Sequence, residues 1–376
     1  MNHEDSILLN FAADQANKKI QSGEMPSEDF DQLVEVLNEA CEHMVREARE
    51  LAPQWYTLSA KASKLRTRWR RLHDIRVGRA IGKRYARAFL LFEESLGAAE
   101  FINLQLIEAY SRWVRATPES ERMSNLFGQP NLFGGHQLKV LILLAMHARS
   151  IVIASEILQL LKAGFHEGAA ARARTLYELS IKATLIAVDE YKGGYGLAER
   201  FYVSAHGDDK KYRNLTGQPF DDESQQVYDL AKSVWGSDFF SSEHNWARPI
   251  IPGASNRRLT FKDLEQAAGA EELRHTYLEY SRSVHAGPLT LIQGTDFNKR
   301  YLNNMRTEVD IHRTGRIGQS ASFSIEVVTE ILTKCISTET KEWDSYLALS
   351  QFVHTIDRAN STFVAAFEKC APRQVE

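Results

Sequence analysis

The 376-residue chain is 43% hydrophobic and 25% charged, with 9 Pro and 21 Gly, the composition of a folded chain able to bury a sizeable core. A formal net charge of −3 excludes a surface that coats nucleic acid throughout, while leaving room for a local basic patch. Cys41, Cys335 and Cys370 are odd in number and far apart, which excludes CxxC-based zinc and redox motifs and points to a reducing compartment.

The opening residues Met1-Asn2-His3-Glu4-Asp5 are acidic where a secretory leader would be basic. The longest apolar run, Val140 to Met146, falls well short of the ~20 residues that span a bilayer. A cytoplasmic chain without membrane association is expected. After Pro26, Ser27 is placed to cap a helix whose apolar stripe runs through Phe30, Leu33, Val34, Leu37, Ala40, Cys41, Met44, Val45, Ala48 and Leu51, with Pro53 ending it. Leu58, Ala62, Leu65, Trp69 and Leu72 repeat the stripe in a second helix. A third is predicted from about Arg84 to Ala116, with Gly97 as a kink point and Pro118 as a stop. Residues 118–135, rich in Gly, Pro, Asn and Ser, read as a linker.

Beyond the linker, His136–Ala163 and His166–Tyr191 read as two long helices separated by Gly164, apolar on most sides and therefore central. The pattern weakens from Gly193 to Thr260, which holds a short helix or two over Asp222–Trp235 and a polar loop with Trp246 and Pro249. Helices resume at Phe261–Ala268 and Glu271–Ala286, and again at Ser320–Ser337 and Thr338–Lys369. The fold class expected is all-α: a multi-helix bundle with an N-terminal helical hairpin region. Its divisions are 1–117 (an acidic then a basic helix), the linker 118–135, a helical-bundle core at 136–337 and a closing helix at 338–376.

Phosphate-loop, dinucleotide, HExxH and GxSxG motifs are absent, and the twelve histidines do not cluster at metal spacing, so no metal and no cofactor are expected. Three features carry chemistry. First, Lys61 to Arg87 holds eleven basic residues against the single acid Asp74, and Lys61, Lys64, Arg68 and Arg71 share one helical face. Such a face can track nucleic-acid phosphates. Residues 1–50 carry twelve acids and four bases, so the reading favoured for the basic helix is pairing with the acidic one in a hairpin.

Second, Arg174 and Glu178 lie four apart on an apolar helix and need partners, most simply each other; the pair either fixes register or orients Arg174 toward an anion. Third, Arg282 and His285 lie three apart near a helix end. There the imidazolium is favoured, and an Arg/His pair can bind a phosphodiester and move a proton in RNA cleavage. Alternatively His285 simply caps the last carbonyls. His244-Asn245-Trp246 is a segment suited to lining the same pocket.

On Gly164-Phe165, Arg174, Leu176 and Glu178, Trp246, Tyr280-Ser281 and Val284-His285, residues 136–291 resemble a bacterial helical family, domain of unknown function 5677. The resemblance implies a helical domain with a polar cluster of unassigned purpose. A more distant likeness is to helical nucleases of the HEPN type, which place an Arg and a catalytic His with four to six residues between them and work as dimers. Here those positions are Leu278, Glu279 and Tyr280, and the nearest arginine is Arg282.

The function expected is a non-enzymatic binding or scaffolding module with an unknown protein partner, in which the Arg174, Glu178 and His285 cluster serves structure or ligand recognition and Glu178, Trp246 and Tyr280 contribute to binding. One alternative is a metal-independent ribonuclease using His285, Arg282 and Arg174, for which the HEPN likeness implies a homodimer. The other is nucleic-acid binding through Lys64, Arg68, Arg71 and their neighbours in Lys61–Arg87.

Overall fold

The computed structural model describes residues 53–118, 135–189, 196–254, 257–284, 313–340 and 344–369, with scattered positions between 14 and 46. Every regular element among these residues is helical, so the chain is all-α. It divides into two compact units, Met1–His73 and Asp74–Glu376. Most of the acidic arm of the expected hairpin lies outside the described residues; within it, Lys19 pairs with Glu39 at 3.0 Å.

The first long helix, α1, is continuous from Pro53 to Ala116. The sequence predicts two helices here. No proline interrupts residues 54–116, and Gly78, Gly82 and Gly97 each cost only about 1 kcal/mol relative to alanine, too little to break a helix that has a core to pack on. Pro53 sits at the first helical position, where its missing N–H forfeits no bond. At the other end the helix stops two residues before Pro118, with the Thr117 hydroxyl donating to the Trp113 carbonyl at 2.9 Å.

Burial begins at Ile81 and continues through Tyr85, Ala88, Phe92, Ala99, Ile102, Leu106 and Ala109, one stripe at helical spacing. Residues 74–116 thus belong to the larger unit, whereas the sequence assigns them to an N-terminal region of 1–117. The physical reason is the ring cluster that Tyr85, Phe89 and Phe92 form around Phe363, with centroids 5.9 to 6.2 Å apart.

The remaining elements follow in order: α2 (Gly135–Ala163), α3 (His166–Val188), α4 (Leu197–Thr216), α5 (Asp222–Trp235), the 3-10 turns Phe239–Ser241 and Asn245–Ile250, α6 (Phe261–Ala267), the 3-10 turn Glu271–Leu273, α7 (Arg274–Val284), α8 (Thr314–Thr340) and α9 (Asp344–Glu368). Gly164 closes α2 with φ +85°. The Phe165 N–H reaches the Leu160 carbonyl (2.8 Å) and the Gly164 N–H the Leu161 carbonyl (3.0 Å), the two-bond closure that a left-handed glycine permits. Helices α2, α3 and α8 pack on one another, and α9 packs on α8. Helix α8 comes close to α9 at Gly315 and Gly318, where an added Cβ would sit 2.5 Å from atoms of Phe367 and Phe363.

Among the described residues α2 is also the one stretch long and apolar enough to cross a membrane by length and composition, with a mean hydropathy of 1.8; 61% of its apolar window is buried inside this fold.

One polar group is sealed in this core. His147 of α2 has no solvent exposure; its Nδ1 lies 3.0 Å from the Asn103 amide of α1 and its Nε2 3.0 Å from the Thr329 hydroxyl of α8. The Thr329 proton goes to the Ile325 carbonyl (2.7 Å), so its oxygen accepts from Nε2–H. Burial lowers the His147 pKa to about 3, and the ring is neutral at physiological pH. An unfolded chain protonates this histidine near 6.5, so the stability it provides is complete above that pH and is lost as pH falls from 6.5 toward 3. Between pH 6.5 and about pH 5 the loss should be about 2 kcal/mol. Urea unfolding of wild type and His147→Gln across this range should show a shallower pH slope for the variant; equal slopes would contradict the assignment.

Candidate functional site

The site starts on α3. Between Ala169 and Ile186 this helix buries ten residues, and its less buried face carries Arg174, Glu178 and Lys182 at four-residue spacing. Arg174 Nε donates to Glu178 Oε1 and its Nη2 to the Tyr277 hydroxyl oxygen, both at 2.8 Å. The side chains of Arg174 and Glu178 are only 20% and 26% exposed. Desolvation opposes the charge on Arg174, but the Glu178 carboxylate outweighs it and raises the pKa of the guanidinium.

Tyr177, one residue along, continues the network inward. Its hydroxyl donates to Glu265 Oε1 at 3.1 Å, and the second oxygen of Glu265 accepts from Arg274 Nη1. The Glu265 side chain is 1% exposed, so Arg274 and Tyr177 are what allow a carboxylate there. The phenols of Tyr177 and Tyr277 are both pushed above their usual range, by burial first and then by the carboxylates beside them. Phe261 stacks on Tyr277 at 4.8 Å and meets Tyr177 edge-on at 6.1 Å, filling the space between the polar pairs.

Short-range chemistry in the sequence explains why α6 presents Glu265 here. Thr260 and Asp263 form a reciprocal capping box at the start of α6, and Arg257 grips both oxygens of Asp263 at 2.9 and 2.6 Å. The hydrogen bonds from Arg257 hold the Asp263 carboxyl well below the usual range. His244 is positioned by a second device. Arg200, 7% exposed, donates to the carbonyls of Trp246 (2.9 Å) and Asn245 (3.1 Å) and so pins the turn. Burial first, then the neighbouring Arg248, lowers Arg200 to about 10. His244 is 8% exposed, and burial keeps its ring neutral to lower pH than usual, against the pull of Glu243 and Glu178. Its Nε2 is 3.3 Å from Glu243, while its buried Nδ1 has no hydrogen-bond partner among the described residues.

The residues proposed from sequence are distributed as follows. Arg174 and Glu178 are together, as their spacing requires. Trp246 is 1% exposed and packs edge-on against Phe201 at 5.1 Å, in the core. Tyr280 is 3% exposed, and its hydroxyl donates to the Arg316 carbonyl at 3.3 Å, tying α7 to α8. Arg282 is exposed in the last turn of α7, and His285 lies outside the described residues. Tyr277, Glu265, Arg274 and Tyr177 are members of the network that the sequence pattern does not mark. A carboxylate on the apolar side of a short helix was the one available signal for Glu265. Among the described residues no group of three or more His, Cys, Asp or Glu is placed to hold a metal ion.

The basic run is a separate candidate surface. All eleven cations from Lys61 to Arg87, Lys64, Arg68 and Arg71 included, are exposed. Trp69 is flanked along the helix by Arg66, 4.2 Å over its ring, and by His73, stacked at 5.1 Å. Arg84 differs from the rest: its guanidinium donates to the Lys369 carbonyl at 2.7 Å, at the C-terminal end of α9.

Removing Glu265 strands Arg274 and Tyr177. Glu265→Ala is expected to lose about 3–5 kcal/mol in urea unfolding, and Glu178→Ala less, about 2 kcal/mol, because water still reaches that pair. Equal and small losses would remove the case for a continuous network.

Residues 140–300, which take in most of α2 and all of α3 to α7, match the model of a family of unknown function, DUF5677. The resemblance read from residues 136–291 therefore holds for the central region. No curated protein and no solved structure matches the chain.

Proposed function

We propose that this chain is a non-enzymatic, cytoplasmic binding module that contacts a polyanion, nucleic acid first among them, through Lys61–Arg87. The observation that carries the reading is the exposure of all eleven cations of that run, against one acid. Each phosphate neutralised there releases condensed counterions, a gain that needs no base-specific contact. The polar network on α3 supports the non-enzymatic half of the reading. Arg174 is engaged by Glu178 and Tyr277, and Glu265 by Tyr177 and Arg274, so a reaction using these groups would first have to break pairs worth several kcal/mol, on the order of a buried ion pair. Their role is to hold α6 and α7 on α3, giving the module a rigid body.

The test is fluorescence anisotropy of a labelled single-stranded RNA with the full chain in EDTA, over roughly fourfold changes in salt. Affinity is expected to fall steeply with salt, and Arg68→Glu with Arg71→Glu to weaken binding by roughly tenfold or more, leaving the RNA intact. Salt-independent binding would sink the polyanion reading. Cleavage that disappears in a folded His285→Ala protein would replace it with the ribonuclease reading.

A further inference from the structure

A cavity of about 280 Å³ lies in the groove between α1 and α9, outside the region matched by the family model. Arg87 and Leu91 line it from α1; His354, Asp357, Arg358, Ser361 and Thr362 line it from α9. Positions 354, 358 and 361 form one stripe of α9, as 87 and 91 do on α1, so the two helices present their side chains to a shared space. Leu91, 1% exposed, belongs to the core, while Arg87, His354, Asp357, Arg358 and Ser361 are open to solvent.

What distinguishes this groove is that its charges are uncommitted. Elsewhere in the unit the arginines that border the core are engaged: Arg174 with Glu178, Arg257 with Asp263, Arg274 with Glu265, and Arg313 with Glu167. Neither Arg87 nor Arg358 makes an ion pair or a side-chain hydrogen bond among the described residues, and the same holds for His354, Asp357 and the Ser361 hydroxyl. Asp357 and Arg358 are consecutive on a helix and cannot face each other, which is why adjacent opposite charges stay apart. The Thr362 hydroxyl proton is taken by the Arg358 carbonyl at 2.6 Å, leaving that oxygen as an acceptor.

Two guanidiniums on facing helices, with a hydroxyl and an imidazole beside them, offer fork-shaped donors to a tetrahedral oxyanion. The carboxylate at the same rim would repel a bare anion but accepts hydrogen bonds from hydroxyl groups. Glu326 on α8, near Asp357, is raised to about 7 by burial and by the acids around it, so close to neutral pH it adds only part of a negative charge. The volume suits one small molecule and no more.

We infer that this groove is a binding site for a small phosphate monoester bearing hydroxyl groups. The phosphate is held by Arg87 and Arg358, and a hydroxyl of the ligand donates to Asp357.

The inference is tested by isothermal titration of the full chain with ribose 5-phosphate, inorganic phosphate and ribose. Ribose 5-phosphate is expected to bind more tightly than phosphate, and ribose not at all. Arg358→Gln should weaken ribose 5-phosphate binding by roughly tenfold or more, the loss of one charge-assisted contact. Asp357→Asn should tighten inorganic phosphate while narrowing the advantage of the sugar phosphate over it. Both positions are exposed, and circular dichroism checks that the variants fold. Absence of ribose 5-phosphate binding at millimolar concentration, or binding that Arg87→Gln and Arg358→Gln leave unchanged, would overturn the site. Arg358 lies outside the basic run, so an unchanged RNA affinity in Arg358→Gln separates this result from that of the polyanion surface.

Discussion

The larger unit depends on how the half-buried polar face of α3 is paired with α6 and α7. A lone carboxylate as buried as Glu265 costs several kcal/mol, on the order of the whole stability of a domain, and the partly buried Arg174 and Glu178 cost less, so each is held by a partner. Arg174 finds Glu178 on its own helix and Tyr277 on α7; Tyr177 reaches Glu265 on α6. These pairings draw two short helices, neither long enough to be stable alone, onto the central one. The aromatic stack of Phe261 and Tyr277 then excludes water from between the pairs and strengthens them.

That arrangement separates structure from recognition. On α3, α6 and α7 the charges are satisfied by one another, whereas the surfaces proposed for ligands carry exposed charges. Along Lys61–Arg87 the cations are exposed on one helix, and in the reading proposed above a polyanion lying along them would relieve their mutual repulsion. Between α1 and α9, Arg87 and Arg358 line a groove rather than an open face, and the ligand inferred there is accordingly a small molecule rather than a strand.

Much of this fold is legible in the residues because helical burial writes itself as a stripe. The helical reading of Asp222–Trp235 and the break between two apolar helices at Gly164 both match the structure, which adds the capping Asp221 and the left-handed conformation of Gly164. The continuity of α1 was not legible: its middle lacks a strong apolar signal because burial begins only at Ile81. The Arg174–Glu178 pair followed from four-residue spacing. Its partners did not, since Tyr277 is 103 residues from Arg174 and Glu265 is 88 from Tyr177, and no local pattern encodes a contact over that separation. Trp246 misled for a related reason: a tryptophan in a polar loop reads as a recognition residue until Arg200, from another helix, is seen to fold that loop into the core.

The most direct test of the structural role assigned to the network is a double-mutant cycle on Arg174 and Glu178, read by urea unfolding. If the pair is a structural clamp, Arg174→Ala and Glu178→Ala each destabilise the protein, and the double variant loses less than their sum, with a coupling of about 1–3 kcal/mol. Single variants that unfold within about 0.5 kcal/mol of wild type, with additive effects, would contradict it and return these side chains to the list of groups free for chemistry.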